Sequence, residues 1–458
     1  MKRKSTFFDR GKQVAKKLAA ARGAEADHRR NVRVPVSRSC RKESVRVSSR
    51  GEPSSMTALK YAACLPTAPA QKFFGGVNVK IAIFENIMTP GGHEVEFDRI
   101  LVEEFRALGH EVEFYVPENF SFQFDYKTPV TRLRGDAVTY TNSRGLKKLL
   151  ATLRREFNRQ RWYSQLLLLQ KKFDALIVPT STYRYLRSLN YSDLKKISVP
   201  LIFILHGINP AEAPRFLAEA DKLSSNRNIK PVVLTFGDSI FGERRDNIFT
   251  IYPPTYTARD ITSSPQSLVP SPLLKVGFFG QYRREKNLRG LLEVFLRGKY
   301  TRRVELQVQG STMHAEDADD FEAIIKQYGG DERLSFLHKG LIGAEWQRAI
   351  MNVDALLMPY SAPRYRYHWG GMLFTAIGFG KPVVASDDMN PEVFALYRVG
   401  ETFQSGNLND LAHVLEAFIN DFDENFPTYS ANLQAAGEDF SPTNFARRLE
   451  KIMEGAYG

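Results

Sequence analysis

The run VKIAIFENIMTPGGHEVEFDRILVEEFRALGHEVEFYV, residues 79–116, decides the fold class. Val79–Phe84 is short and mostly apolar, and reads as a buried strand. A turn containing Pro90-Gly91-Gly92 follows, then apolar residues at helical spacing from Val95 to Leu108, stopped by Gly109. A second strand, Glu111–Val116, comes directly after. Strand, glycine turn, helix and strand make a βαβ unit, which predicts a parallel sheet with right-handed crossovers. Gly91 and Gly92 fall at a helix N-terminus, where bare backbone amides can approach an oxyanion closely. A tight strand-to-helix turn accounts for the same pair.

Toward the C-terminus the pattern repeats. Strand signals recur at Ala175–Pro179, Pro200–Leu205, Val232–Thr235 and Ile248–Tyr252. His206-Gly207 follows the second of these at its carboxyl end, where ligands bind in open α/β sheets. His206 is there a candidate for proton transfer or for contact with a sugar hydroxyl; the alternative is a histidine that caps the strand end. Residues 253–272 are rich in Pro, Ser and Thr without apolar periodicity, the composition of a linker. Strands then restart at Leu274–Phe279, Val304–Gln309, Leu334–Leu337, Asp354–Met358 and Pro382–Ser386. Helices are expected at Leu288–Leu296, Ala318–Gln327, Ala344–Met351 and Gly371–Phe379. The fold class is therefore α/β, with two doubly wound Rossmann-like domains facing across a cleft. The expected boundaries are 77–255 for the N-terminal domain, 256–273 for the linker and 274–440 for the C-terminal domain. Residues 441–458 are expected to form a helix that can return to the N-terminal domain.

Residues 144–172 form a long basic helical stretch in which Glu156 is the sole acid. Leu146, Leu149, Leu150 and Leu153 recur at helical spacing, so one face is apolar. A solvated face over a core helix fits this pattern. So does a surface that docks peripherally on anionic lipid or receives a lipid-linked acceptor.

The net charge of +13 suggests nucleic acid until it is located. Residues 1–76 hold 18 of the 64 basic residues and 5 of the 51 acidic ones, and the remainder carries equal numbers of each sign. A nucleic-acid partner for the folded part thus loses its support. The leading segment is expected to be a disordered basic extension, or upstream sequence preceding a start at Met56 or Val77. A transit peptide and a polybasic membrane arm are the other readings. Both cysteines, Cys40 and Cys64, lie in it, which excludes disulfides and thiolate metal sites from the rest. No apolar run reaches the roughly 18 residues of a spanning helix. The expected location is cytoplasmic, with peripheral contact on the inner membrane face as an option.

Four stretches together resemble the large retaining branch (glycosyl transferases group 1) of the GT-B glycosyltransferases. They are PGGHEVEFDRILVEEFRALGHEV, GFFGQYRREKNLRGLLEVF, FLHKGLIGAEWQRAIMNVDALLMPYS and GFGKPVVASDDMNPEVF, in family order from about residue 79 onward. The resemblance implies a nucleotide diphosphate sugar as donor substrate, no cofactor and no metal. It places Lys286 on the donor diphosphate, where a compact ammonium acts as a point charge. Gln281 stands where the family often carries arginine, and Arg283 or Arg284 is positioned to compensate. The family's two glutamates, eight positions apart, fall on Tyr367 and Thr375. Thr375 retains one possible hydrogen bond to ribose. Between them Gly370 and Gly371 open a helix whose amides can face a phosphate. Arg364 and Arg366 lie in the same loop, and Glu392 matches an acidic family position. Asp387-Asp388 and the run Glu316-Asp317-Asp319-Asp320 invite a metal reading, and the run also suits a solvated helix start.

The function these features imply is transfer of a hexose-type sugar to a glycan or lipid-linked glycan, in cell-surface polysaccharide or glycoconjugate synthesis. A non-catalytic module that binds sugar nucleotides or glycans, or an epimerase on the same fold, is the alternative.

Overall fold

The computed structural model describes residues 78–88, 94–138, 145–236, 239–242, 245–258 and 273–455, with no account of the Pro363 side chain. Residues 1–76 with Cys40 and Cys64, the Gly91-Gly92 pair, and residues 259–272 of the expected linker lie outside them. All described residues belong to one compact unit, Pro69–Gly458.

That unit contains two parallel sheets. The first holds β1 (Lys80–Phe84), β2 (Glu111–Pro117), β3 (Val130–Leu133), β4 (Ala175–Ser181), β5 (Leu201–Leu205), β6 (Ile229–Leu234) and β7 (Phe249–Ile251). Their order is β3-β2-β1-β4-β5-β6-β7. The second holds β8 (Leu273–Phe278), β9 (Arg303–Gly310), β10 (Leu334–His338), β11 (Ala355–Met358), β12 (Val383–Ser386) and β13 (Gly400–Phe403), in the order β10-β9-β8-β11-β12-β13. Both orders reverse direction after their first strand, between β1 and β4 and between β8 and β11. This is the doubly wound arrangement, in which the crevice at the reversal is the place for a ligand.

Burial explains the strands. Ile81–Phe84 and Leu201–Leu205 are shielded on both faces by helices and contain almost nothing polar, as strands of a parallel sheet must. The two strands missing from the sequence reading, β3 and β13, are four-residue edge strands with mixed polarity. Such short, half-exposed runs carry no usable periodicity. Helix Ala315–Tyr328 begins three residues earlier than expected, because Glu316 and Asp317 favour its positive N-terminal end.

Three of the contacts that tie the two lobes together bear on the site. The backbone after β5 pairs with the segment after β11: Gly207 and His368 form an antiparallel bridge, and the Trp369 amide donates to the His206 carbonyl at 3.0 Å. The Trp369 ring lies edge-on to Phe97 at 5.3 Å and stacks on Tyr256 at 5.2 Å. Finally, helix Pro442–Glu454 packs on helix Glu94–Ala107 of the first lobe. There Thr443 Oγ1 donates to Glu104 at 2.7 Å, and His110 Nε2 lies 3.0 Å from Glu450.

Candidate functional site

The site starts where β8 ends. Gly280 has φ +103°, and its amide donates to Gln309 Oε1 at 3.0 Å, which turns the chain back toward the sheet. A 3₁₀ turn, Arg284–Lys286, follows and ends at Asn287 in the left-handed region. This turn aims Lys286 inward. Its ammonium lies 4.6 Å from the centre of the Tyr360 ring and 5.9 Å from that of Phe278, with the residue 8% exposed. Among the described residues Lys286 has neither an ion-pair partner nor a hydrogen-bond acceptor. Burial, and next the charges of Arg283 and Arg364, lower its pKa to about 7.

One acid serves the neighbouring arginines. Glu285 Oε1 pairs with Arg364 Nη2, lies 3.8 Å from Arg283 Nη1 and accepts from Tyr365 Oη at 3.3 Å. His368 joins the same group. Burial first and then Arg364 hold its pKa below the usual histidine value, so the ring stays neutral. The cluster of Lys286, Arg283, Arg364 and Glu285 thus has more positive than negative charge, and its most buried cation is the uncompensated one. An anion with several oxygens fits this deficit. Of the two arginines that the sequence offered beside Gln281, Arg283 is at the site. Arg284 turns away, donating to the Glu316 carbonyl at 3.1 Å and approaching Asp320 at 3.6 Å. Arg366 is exposed on the same turn as Arg364.

Several sequence expectations need correction. The Gly370 amide donates to Asn390 Oδ1 at 3.0 Å, and the Gly371 amide to the Trp369 carbonyl at 3.0 Å. Neither is therefore free to face a phosphate. The space at 370 is tight: a Cβ there would lie 2.7 Å from Asn390 Oδ1 and 2.9 Å from Met389 Cε, so those side-chain ends would have to shift. Thr375 is 1% exposed, and its hydroxyl donates to the Gly371 carbonyl at 2.8 Å within its own helix, Gly371–Gly378. This back-bonding takes the hydroxyl away from any ribose. Tyr367 follows the 3₁₀ turn Pro363–Arg366, and its carbonyl accepts from the Ile208 amide at 3.2 Å. Glu392 is half-buried in the first turn of helix Pro391–Leu396 and has no partner among the described residues.

His206 is an anchor. Its Nε2 sits 2.9 Å from the Pro179 carbonyl, so that nitrogen carries the proton and offers no lone pair. Its ring packs edge-on to Phe97 at 4.8 Å and Trp369 at 5.2 Å. The acidic run beginning at Glu316 is likewise structural where it can be followed. Asp320 pairs with Arg289 at 3.0 Å and accepts from Tyr282. Among the described residues no group of three or more His, Cys, Asp or Glu side chains is arranged to hold a metal ion. Glu285, His368 and Asn390 complete the site, and only their positions in loops between predicted elements hinted at it.

No protein-family model matches the sequence, and neither does any curated protein sequence. Solved structures do match. HepE from Anabaena, in complex with UDP and glucose, superposes with a TM-score of 0.59 at 17% identity, covering 82% of this chain and 100% of that one. Sucrose-phosphate synthase from Thermosynechococcus elongatus gives a TM-score of 0.59 at 14% identity over 82% and 98% of the two chains. WaaG, a glycosyltransferase involved in lipopolysaccharide biosynthesis, gives 0.57 at 14% identity over 82% and 100%. The fold is GT-B.

In this GT-B chain the carboxyl ends of the two sheets meet at the Gly207–His368 bridge, and the Lys286 cluster lies on the C-terminal side of that meeting. Met372, in the first turn of the Gly371 helix, brings its sulfur to 3.6 Å from where a Cβ on Gly280 would be. The Lys286 loop and the Gly371 helix therefore form adjoining walls. No helix among the described residues is long and apolar enough to cross a membrane.

Proposed function

We infer that the protein is a glycosyltransferase that takes a sugar from a nucleotide diphosphate sugar and passes it to a glycan or lipid-linked glycan. The observation that carries this reading is Lys286, buried, unpaired and flanked by Arg283 and Arg364 at the carboxyl end of β8. Negative charge grows on the departing nucleoside diphosphate as the glycosidic bond to the donor breaks, and a cluster of fixed cations stabilises that charge where it develops. The two domains divide the work, with 274–440 holding the donor and 77–255 the acceptor. The HepE complexes contain UDP and UDP-glucose, which makes these the first donors to test.

Helix Gly145–Leu169 supports a peripheral membrane contact at the cytoplasmic face. Leu146 is 78% exposed, and Leu150 and Phe157 are also exposed, beside Lys147, Lys148 and Arg154. A bare apolar stripe with basic flanks is the pattern of an interfacial helix.

A second reading, a sugar-nucleotide binding module without turnover, draws on Thr375. Its hydroxyl points into its own helix where the family resemblance places a glutamate. Release of UDP from UDP-glucose in the presence of a crude glycolipid extract tests the enzyme reading. Turnover supports it, and calorimetric binding of UDP-glucose without UDP release favours the module.

A further inference from the structure

The N-terminal lobe holds a second feature that the donor site does not use. At the carboxyl end of β1, Glu85, Asp98, Phe120, Phe122 and Tyr126 line a cavity of about 20 Å³, space for one hydroxyl group or one water. Glu85 is 2% exposed and Asp98 is 3% exposed. Glu85 Oε1 accepts the amides of Asn86 and Ile87, both at 2.7 Å, while its Oε2 and Asp98 Oδ1 have no hydrogen-bond partner among the described residues. Arg99, the residue after Asp98, is committed to Glu96 at 2.5 Å. Burial pushes the Glu85 pKa up to about 8, and burial with the Glu85 charge pushes Asp98 well above its ordinary value. Burial thus favours the protonated form at both positions, and a carboxyl that holds its proton offers an O–H donor beside a carbonyl acceptor.

A groove of about 310 Å³ adjoins the cavity and shares Phe122, Gln123 and Tyr126 with it, adding Phe114, Phe124 and Asp125. It reaches the other lobe, because the Phe124 ring lies 3.7 Å from where a Cβ on Gly343 would be. Phe97, next to Asp98, packs on Trp369, directly before Gly370. The Phe124 end of the groove therefore abuts the second lobe.

Unsatisfied polar atoms are rare in folded interiors, and paired ones beside a groove suit a ligand that can give and take hydrogen bonds. A sugar hydroxyl does both, and the C–H faces of a pyranose suit aromatic walls. A phosphate is disfavoured here: it brings negative charge beside Glu85, Asp98 and the adjacent Glu94, and among the described residues no cation is paired with Glu85 or Asp98. We propose that this cavity and groove seat the acceptor, one hydroxyl between Glu85 and Asp98 and the sugar rings along Phe122 and Phe124, and that the seated end is an uncharged sugar. The proposal rests on the transferase reading for the word acceptor, but the binding it describes needs no catalysis.

Saturation-transfer NMR on the full chain, with cellobiose, maltose and glucose 6-phosphate as probes, tests it. At least one neutral disaccharide should receive saturation and glucose 6-phosphate should not. Asp98→Leu removes the polar atoms without leaving a void, and Phe122→Ala removes an aromatic wall. Each should weaken disaccharide binding tenfold or more while calorimetric UDP affinity stays within twofold. An equal or stronger signal from glucose 6-phosphate overturns the proposal. So does the absence of any signal from both disaccharides, or disaccharide binding unchanged in both variants. An unmodified protein that binds a disaccharide but no UDP or UDP-glucose overturns the donor reading and leaves this one standing.

Discussion

Gly207 in the first lobe and Tyr367 in the second touch backbone to backbone. With φ +104° at Gly207, a Cβ there would collide with the Tyr367 carbonyl oxygen and lie 2.5 Å from the His368 Cα. Glycine at this position is what allows the segments after β5 and β11 to pair. Gly207→Ala should cost about 1–3 kcal/mol of stability from the left-handed conformation alone. It should also weaken UDP binding, because the pairing supports the loop that carries Arg364. Thermal unfolding and calorimetry read the two effects, and unchanged values in both would show that the lobes do not depend on this contact.

Lys286→Met should separate binding from stability. Donor affinity should fall by about 1.5–3 kcal/mol, the range for a hydrogen bond to a charged group. Stability of the ligand-free protein should rise at pH 6, where the wild-type ammonium is buried, charged and unpaired. The folded pKa of about 7 lies below the unfolded lysine value, so the unfolded chain binds more protons between them. Wild-type stability should therefore climb relative to the variant from about pH 7 toward the ordinary lysine pKa. Denaturant melts of both proteins across this window give the test.

Donor binding should take up protons. A diphosphate beside Lys286 raises the ammonium pKa, so affinity is greatest below pH 7 and declines as the pH rises through it. Calorimetry in two buffers of different ionisation enthalpy should show proton uptake at pH 8, and Lys286→Met should abolish it. Equal heats in both buffers for the wild type would place the diphosphate elsewhere.

Thr375→Val should leave UDP affinity within twofold, since the hydroxyl serves the Gly371 carbonyl. Stability should fall by about 0.5–1.5 kcal/mol, the net worth of one hydrogen bond. A tenfold loss of affinity would show that the hydroxyl reaches ribose after all.

Replacing Leu146, Leu150 and Phe157 together by serine should reduce co-sedimentation with vesicles containing anionic lipid by tenfold or more. UDP affinity should not change. Equal vesicle binding by the variant would assign the exposed stripe of helix Gly145–Leu169 another role.

Much of the fold was legible in residues close together in the chain. Val79–Phe84, the helix after it and Glu111–Pro117 declared a βαβ unit because burial on both faces of a parallel strand demands uninterrupted apolar runs. The same rule missed β3 and β13, whose edge positions relax it. Lys286 was singled out by the family resemblance alone, since nothing in its local pattern sets it apart from the arginines beside it.

The state of each site residue was not legible, because partners came from distant segments. Asn390 takes the Gly370 amide from twenty positions away, and Thr375 bonds backward into its own helix. Glu85 and Asp98 sit in a strand end and a helix, thirteen positions apart, and meet only when the helix folds onto β1. Local patterns along the chain gave the two doubly wound sheets, and the family resemblance pointed to Lys286 after the first strand of the second. Packing of distant segments leaves this lysine without an ion pair among the described residues, because Glu285 serves the arginines, and brings two carboxyls to one cavity in the opposite lobe. Periodicity reports which face of an element is buried, whereas charge balance depends on which elements pack together, and that follows from sheet order.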